Sequence, residues 1–317
     1  MDRAIIISNG RCGSTLLSDL IVEEPETCSV QEFFMSVAPW SRSMEVITGP
    51  EYWKIIGGPK AELSVLFKLG LPPKEVRYPA DGRFSGDMVN LPRILAITLA
   101  KLTDDPDALF DALAPRVQAF GTQSVGAHHQ AFLDLLAELT GKKRWVERSG
   151  GSSQVTKSLL ENFPSAKIVY LTRDWTATAK SMSKHSSFQL VQLRVEALGK
   201  YGVDPMHVSA DDDLPEEVRA FLPERLTADF LRERGKDLKR FLALCAFMSS
   251  QAEQSLADHP PAHLHTMAYE DLVADPIGGL TELGEFLGFA DSSGWAASVA
   301  HRVRRPERVA VPLGSPS

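Results

Sequence analysis

The N-terminal segment carries the pattern that most constrains the fold. Residues 3–8 form a short run rich in β-branched side chains, which predicts a buried parallel strand. A glycine-containing polar stretch over residues 9–15 breaks this run, and residues 16–21 then predict the first turns of a helix. A strand, a glycine-containing loop and a helix in this order are typical of a turn that binds phosphate. The chain is therefore expected to build an α/β fold around an anion site.

Later segments repeat the alternation of strand and helix. Strands are predicted at residues 144–148, 166–172 and 264–269, and helices follow at residues 154–162, 176–184 and 277–287. Such alternation predicts a P-loop-like parallel sheet flanked by helices. Two long stretches, at about residues 40–140 and 190–255, are predicted as helical insertions, with helices at residues 91–102 and 130–139 within the first. We expect a single domain over residues 1–317, with the insertions shaping the substrate cavity.

Composition excludes several classes of protein. The 317 residues are 44% hydrophobic and 24% charged, as in ordinary globular proteins, and the net charge of −7 argues against a nucleic-acid binder. Three scattered cysteines do not suit a disulfide framework or a zinc cluster. Together with the lack of a signal-peptide pattern, they predict a cytoplasmic protein without a metal. No apolar run reaches the length of a membrane span. The sequence leaves the oligomeric state open.

The first candidate site is the loop after the first strand, Gly10-Arg11-Cys12-Gly13-Ser14-Thr15. Backbone N–H groups at a helix N-terminus attract an anion, hydroxyls can donate to it, and Arg11 adds a fixed cation. The strict nucleotide P-loop has a Lys before its Ser or Thr, and this loop has none. The alternative is a plain turn with glycine for packing, in which Cys12 is a small loop residue even though a helix start can lower a thiol pKa.

The second candidate is Arg173, directly after the strongest predicted strand, together with Ser181 eight residues later. Ser181 would lie about two turns into the next helix, so one ligand could contact both side chains. Ligands of open α/β sheets bind at the carboxyl ends of strands, where Arg173 is expected. The alternative is an Arg paired with a carboxylate and a Ser that only serves its own helix.

Taken together, the two candidates resemble a known family. The stretch from Arg11 to Leu17 resembles the 5′-phosphosulfate loop of sulfotransferases that use 3′-phosphoadenosine 5′-phosphosulfate (PAPS), and Arg173 with Ser181 resembles their 3′-phosphate pair. A third similar stretch comprises Tyr269-Glu270-Asp271-Leu272, Asp275-Pro276 and Phe286-Leu287-Gly288. The resemblance implies an enzyme with PAPS as donor and 3′,5′-diphosphoadenosine (PAP) as product. The donor-binding residues would be Arg11, Cys12, Gly13, Ser14, Thr15, Leu16, Arg173 and Ser181.

Two further stretches resemble different bacterial branches of this family. Gln31-Glu32-Phe33-Phe34 resembles a segment of trehalose sulfotransferases, in which the Glu is the proposed general base. Residues 147–152 resemble a segment of natural-product sulfotransferases. The acceptor therefore stays open: a small molecule, a sugar, a lipid or a carrier-bound chain with a hydroxyl.

The base itself has two candidates. A carboxylate with a raised pKa in an apolar pocket can take the proton of an acceptor hydroxyl, and Phe33, Phe34 and Trp40 are expected to surround Glu32. Cytosolic eukaryotic members of the resembled family use a His base between the loop and the middle of the chain, and this sequence has no His before His128. Glu32 is therefore the leading candidate, and the pair His128-His129 is the rival.

Two other functions stay open. A P-loop kinase-like phosphoryl transferase is disfavoured by the missing loop Lys and by the lack of a Walker-B-type Asp after a strand. A non-catalytic nucleotide-binding protein could keep the same loop. The basic cluster of Arg302, Arg304, Arg305 and Arg308 is either a solvated tail or, by the resemblance, a loop over the 3′-phosphate. Lys180, Lys184 and His185 are expected only to favour a helix C-terminus.

Overall fold

The structure, a computed structural model, describes residues 1–303. Seven strands are found in this part of the chain: β1 (Asp2–Ser8), β2 (Thr27–Gln31), β3 (Val46–Ile47), β4 (Gln123–Ser124), β5 (Arg144–Arg148), β6 (Lys167–Thr172) and β7 (Leu264–Ala268). Five of them form one sheet in the order β2-β5-β1-β6-β7, and every pairing in it is parallel. Strands β3 and β4 form a separate antiparallel pair. The first strand of the chain therefore lies at the centre of the main sheet.

Helices connect and cover the strands. In chain order they are α1 (Ser14–Ile21), α2 (Phe33–Ser36), α3 (Gly49–Ile56), α4 (Ala61–Lys68), α5 (Arg93–Ala96), α6 (Pro106–Gln118), α7 (Val125–Leu139), α8 (Thr156–Asn162), α9 (Trp175–Met182), α10 (Ser186–Tyr201), α11 (Glu216–Arg219), α12 (Ala228–Gly235), α13 (Leu238–Leu256), α14 (Tyr269–Ala274), α15 (Pro276–Leu287) and α16 (Ser292–Val299). Within the described residues, no helix is both long and apolar enough to cross a membrane.

Alternate residues of the central strands feed two separate apolar cores. Ile5 and Ile7 of β1 enter a core that also takes in α7 residues such as Phe132. Ala4 and Ile6 enter the opposite core, with Leu17 of α1 and residues of α15 and α16. Because side chains alternate across a strand, a sheet covered on both faces needs strands that are apolar throughout. This explains why residues 4–7 form an unbroken apolar run.

The predicted fold class is confirmed: the sheet is parallel and flanked by helices, with further helices in both long insertions. The predicted strands at residues 144–148, 166–172 and 264–269 are present with ends shifted by one residue at most. Strand β2 was missed because its Thr27, Ser29 and Gln31 are polar, although all five of its residues are buried. These polar side chains find partners on α1 and the loop after it, such as the Ser18 carbonyl for Ser29 Oγ.

The predicted helix over residues 91–102 is wrong. Only the short helix α5 and a 3₁₀ turn at Leu99–Lys101 occur there. The chain leaves helical geometry at Ile97, and the hydroxyl of Thr98 donates to the carbonyl of Gln31 at 3.0 Å. This bond ties the segment to the end of β2, so tertiary contact overrides an apolar pattern that is compatible with a helix.

Candidate active site

The candidate site residues come from four neighbouring strand ends. Arg11 follows β1, Glu32 follows β2, Gly150 lies two residues after β5, and Arg173 follows β6. Since these strands are parallel, their carboxyl ends meet at one edge of the sheet, which is where ligands of open α/β folds bind. A cavity at this edge is lined by Arg11, Ser14, Thr15, Glu32, Arg148 and His185, among others.

The loop after β1 is packed so closely that it requires glycine. Gly13 has φ 94°, and a Cβ there would lie 2.3 Å from the ring of Tyr269. Helix α1 starts directly after it at Ser14 and has no side-chain cap, so its first N–H groups are left for another partner. The partial positive charge of this helix end faces the cavity edge that Ser14 and Thr15 line. The local structure is suited to holding an anion.

Arg11 links the loop to the second candidate pair. Its Nε donates to Ser181 Oγ at 3.2 Å, and its carbonyl accepts from Arg173 Nη1 at 3.1 Å. The Arg173 guanidinium also lies 4.7 Å from the centre of the Tyr269 ring. Its Nε is buried and has no hydrogen-bond partner among residues 1–303. The structure thus brings Arg11, Arg173 and Ser181 into one cluster, and one donor group of that cluster is unused.

Arg11 forms an ion pair with Glu75, a carboxylate that the sequence did not predict at this site. Arg11 Nη1 pairs with Glu75 Oε1 at 2.7 Å, and His185 Nε2 lies 2.7 Å from Glu75 Oε2. Burial alone would raise the pKa of Glu75, but the His185 hydrogen bond and the charges of His185 and Arg11 outweigh it and lower the pKa to about 2. Glu75 is therefore an anion that would compete with an anionic ligand for Arg11.

His185 is a second residue whose position differs from the expectation. Helix α9 ends at Met182, and His185 turns toward the cavity instead of serving the helix end. Its ring is nearly buried, and Nδ1 is without a partner among residues 1–303. No motif in the sequence marks Glu75, which lies in a long insertion, so the pair could not be found from spacing alone.

Glu32 is held by an ion pair. Arg148 Nη1 contacts Glu32 Oε1, and the Gly150 N–H donates to both carboxylate oxygens at 3.1 Å. The Arg148 side chain is 2% exposed and that of Glu32 14%, so the Arg lies behind the carboxylate and the Glu reaches the cavity. Arg148 is fixed in turn by Gln31 Oε1 at 2.7 Å and Ser18 Oγ at 3.1 Å. These contacts fix the position of the Glu32 carboxylate.

The expected apolar surroundings of Glu32 are not found. Phe33 and Phe34 are fully buried in the core, where Phe33 stacks on Phe132 with ring centres 5.1 Å apart. Trp40 is partly buried and does not line the cavity. Burial raises the pKa of a nearby carboxyl group, that of Glu147, to about 8 despite a hydrogen bond from Ser149. Glu147 lies outside the cavity, whereas Glu32 lines it and forms an ion pair with Arg148.

Backbone geometry also sets Arg11 and Glu32 apart from the other residues that the structure describes. Within residues 1–303, Arg11 (φ 58°) and Glu32 (φ 60°) are the non-glycine residues with positive φ. This conformation costs about 1–3 kcal/mol for such residues and persists only where surrounding contacts enforce it. Strain of this kind concentrates at functional sites. Arg11 and Glu32 therefore stand out on geometry that is independent of their charge.

The rival base His128 lies away from the cavity. Its ring is buried and stacked on Tyr52, and its Nε2 lies 2.9 Å from the Ile47 carbonyl. His129 is buried as well, with Nδ1 2.8 Å from the Tyr52 hydroxyl, and burial lowers its pKa to about 3. Neither histidine lines the cavity. Both rings are part of the core beside α3, so the structure does not bring the predicted base His128 into the cavity with Glu32.

Cys12, Leu16 and Arg302 do not line the cavity. The side chain of Cys12 is buried, burial raises the pKa of its thiol, and Leu16 packs against the same core. Asp174, the carboxylate after β6, accepts from the Ala177 N–H and so caps α9. Arg302 pairs with Glu23 at 2.7 Å. Arg304, Arg305 and Arg308 lie outside the described residues.

Comparison with known proteins adds the class of enzyme. Residues 152–304 match the family model of the sulfotransferase domain. No curated protein matches the sequence. The matched range holds Arg173, Ser181 and Tyr269, whereas the loop at Arg11 and Glu32 precede it. The resemblance to sulfotransferases is thus confirmed over this range, which carries a sulfotransferase domain.

Three sulfotransferases are among the solved structures to which this chain is similar. The sulfotransferase domain from the curacin biosynthetic pathway is 15% identical, with a TM-score of 0.42 over 90% of this chain and 74% of its own. The domain from the Synechococcus PCC 7002 olefin synthase is 16% identical, with a TM-score of 0.43 over 100% and 81%. Sulfotransferase STF9 from Mycobacterium avium is 14% identical, with a TM-score of 0.43 over 96% and 69%.

Proposed function

We propose that the protein transfers a sulfuryl group from PAPS to a hydroxyl of an acceptor, and that PAP is released. One observation supports this most: the loop cation Arg11 is in direct contact with both Arg173 and Ser181 beside the start of α1. A donor with phosphate at both its 3′ and 5′ ends needs two anion sites a short distance apart on one face. The cluster offers such a pair of sites at the edge of the sheet.

The 5′ end of the donor would bind the first N–H groups of α1, the hydroxyls of Ser14 and Thr15, and Arg11. The 3′-phosphate would take Arg173, whose buried Nε has no partner among residues 1–303, and Ser181 Oγ. An anion bound at Arg11 would compete with Glu75, which already pairs with the guanidinium through Nη1. The family match over the segment that carries Arg173 and Ser181 supports this assignment.

Glu32 would act as the general base. The acceptor oxygen attacks sulfur in line with the departing PAP oxygen, a new O–S bond forms as the old one breaks, and the hydroxyl proton passes to a Glu32 oxygen. Negative charge grows on the oxygen of PAP that leaves, and Arg11 with the N-terminus of α1 stabilises it. Arg148 and the Gly150 N–H keep the carboxylate in place during the transfer.

An assay of sulfuryl transfer with excess chelator tests this function. Arg11 and backbone N–H groups supply the electrostatic stabilisation that Mg²⁺ supplies in kinases, so transfer of labelled sulfuryl from PAPS to a library of hydroxyl compounds should persist in EDTA. Transfer of the γ-phosphoryl group from ATP that is lost in EDTA and restored by Mg²⁺ would establish the kinase alternative. Tight PAP binding without transfer to any compound would establish the non-catalytic alternative.

A further inference from the structure

The charges that line the cavity do not balance. Among residues 1–303, five cationic side chains line it, and three of them contact a carboxylate: Arg11 with Glu75, Arg148 with Glu32, and Arg194 with Glu62. The two others are Lys60 and Arg93, and no carboxylate of the described residues lies within ion-pair distance of either. The wall of the cavity thus holds two cations in excess.

Lys60 and Arg93 form one cationic patch. The Lys60 ammonium donates to the Met35 carbonyl, and Arg93 Nη2 donates to the Pro59 carbonyl at 2.7 Å. Arg93 Nε and its N–H both donate to the Gly58 carbonyl. The two side chains are therefore held by hydrogen bonds to neutral carbonyls, and the charge of Glu62 acts on both from beyond ion-pair distance. Burial lowers the pKa of both groups, which means that each charge is held at a cost that a bound anion would offset.

A series of contacts joins the donor loop, Glu32 and the patch, which all line the same cavity. A Cβ on Gly10 of the loop would lie 3.2 Å from the Gly150 backbone, and the Gly150 N–H donates to Glu32. Met35, which binds Lys60, is one turn beyond Glu32 in α2. Contacts thus run from the loop through Gly150 and Glu32 to Lys60 and Arg93. A molecule with its hydroxyl at Glu32 would extend toward the patch.

We propose that the acceptor carries an anionic group, a carboxylate or a phosphate, which binds Lys60 and Arg93 while its hydroxyl lies at Glu32. This inference rests on the proposed function and adds the class of acceptor to it. The body of the acceptor would be apolar, because Leu63, Leu66, Ile97 and Val191 line the same cavity between the charged groups. The patch would then set both the choice of acceptor and its orientation.

Matched pairs of acceptors test the proposal. The probes are ω-hydroxycarboxylates and hydroxyphenylalkanoates of increasing chain length, each with its neutral primary amide, and hydroxyalkyl phosphates with the corresponding diols. Binding is measured by calorimetry on the full chain saturated with PAP. Wild-type protein should bind at least one anion about tenfold or more tightly than its neutral partner, since a charge-assisted contact is lost in the partner. The carboxylate and phosphate series show which anion is recognised.

Variants of Lys60 assign the preference to the patch. Lys60→Gln keeps a donor for the Met35 carbonyl and should remove most of the preference, whereas Lys60→Arg should retain it. Lys142→Gln is the matched control, because the Lys142 ammonium also donates to a backbone carbonyl, that of Pro25 at 2.8 Å, but lies outside the cavity. This control should leave the preference unchanged.

Two results would overturn the proposal. One is a wild-type protein in which no anion of either series outperforms its neutral partner. The other is a Lys60→Gln protein in which charged and neutral partners weaken equally, since Lys60 would then not recognise the charge of the acceptor. Affinity for PAP in the same proteins separates the two levels: normal PAP binding without anion preference removes only the acceptor assignment, and lost PAP binding in the wild type removes the proposed function.

Discussion

Replacing Glu32 by Gln is expected to lower the turnover number by about 10²–10⁴-fold, because the amide cannot take the proton of the acceptor hydroxyl. Affinity for PAP should stay near that of the wild type, since Glu32 contacts Arg148 and Gly150 and not the donor loop. Steady-state turnover with labelled PAPS and calorimetric titration with PAP measure the two quantities. Glu32→Asp retains a carboxylate and should recover part of the turnover.

A matched control separates catalysis from stability. Glu32→Gln leaves the buried Arg148 without its charged partner, which itself destabilises the protein. Glu24→Gln removes the nearer carboxylate of Arg144 at the opposite end of β5, where the pair is 5% and 8% exposed and lies outside the cavity, and leaves Glu26 at 3.8 Å as the remaining partner. The control should lower thermal stability with turnover preserved. Full turnover in Glu32→Gln would show that another group, with His185 in the cavity as the first to test, accepts the proton.

The second large effect concerns the nucleotide. Wild-type protein should bind PAP much more tightly than adenosine 5′-monophosphate, and Arg173→Ala should nearly abolish this difference. Loss of a partly buried, charge-assisted contact to the 3′-phosphate costs roughly 2–4 kcal/mol. That loss corresponds to about 30- to 1000-fold in affinity, and it should be confined to ligands with a 3′-phosphate. Calorimetric titration of both nucleotides into both proteins provides the four affinities.

Two further variants distinguish the ends of the nucleotide. Ser181→Ala should reduce the preference for PAP in the same direction by less, because one neutral donor is lost. Thr15→Ala should weaken both nucleotides together. Affinity for adenosine 5′-monophosphate also reports whether Arg173→Ala disturbs the loop through the carbonyl of Arg11. Equal weakening of both nucleotides in Arg173→Ala would contradict the 3′-phosphate assignment.

Local sequence pattern was sufficient for four of the five strands of the main sheet and for the loop after β1. The apolar run before Gly10 predicts the central strand β1, since a strand buried on both faces must be apolar throughout. The position of Arg173 and the spacing to Ser181 indicated that both could contact one ligand, and the structure places both against Arg11. These inferences depend on neighbours in sequence or on the shared edge of a parallel sheet.

Partners that come from distant segments could not be predicted. Glu75 reaches Arg11 from 64 residues away, and Arg148 reaches Glu32 from 116 residues away. No spacing rule links such pairs, so the surroundings of Glu32 were predicted as apolar from its sequence neighbours alone. Phe33 and Phe34 turn into the core instead, because α2 starts at Phe33 and buries that face. The same limit hid Lys60 and Arg93, which lie in an insertion without a motif.

A crystal structure with PAP tests the central claim most directly, because it locates both ends of the nucleotide at once. We expect the 5′-phosphate at the N-terminus of α1 and on Arg11, the Glu75 carboxylate displaced from Arg11, and the 3′-phosphate on Arg173 and Ser181. Glu32 should face the space beside the 5′-phosphate. PAP bound with its 3′-phosphate away from Arg173, or at a site apart from the Arg11 loop, would contradict the account.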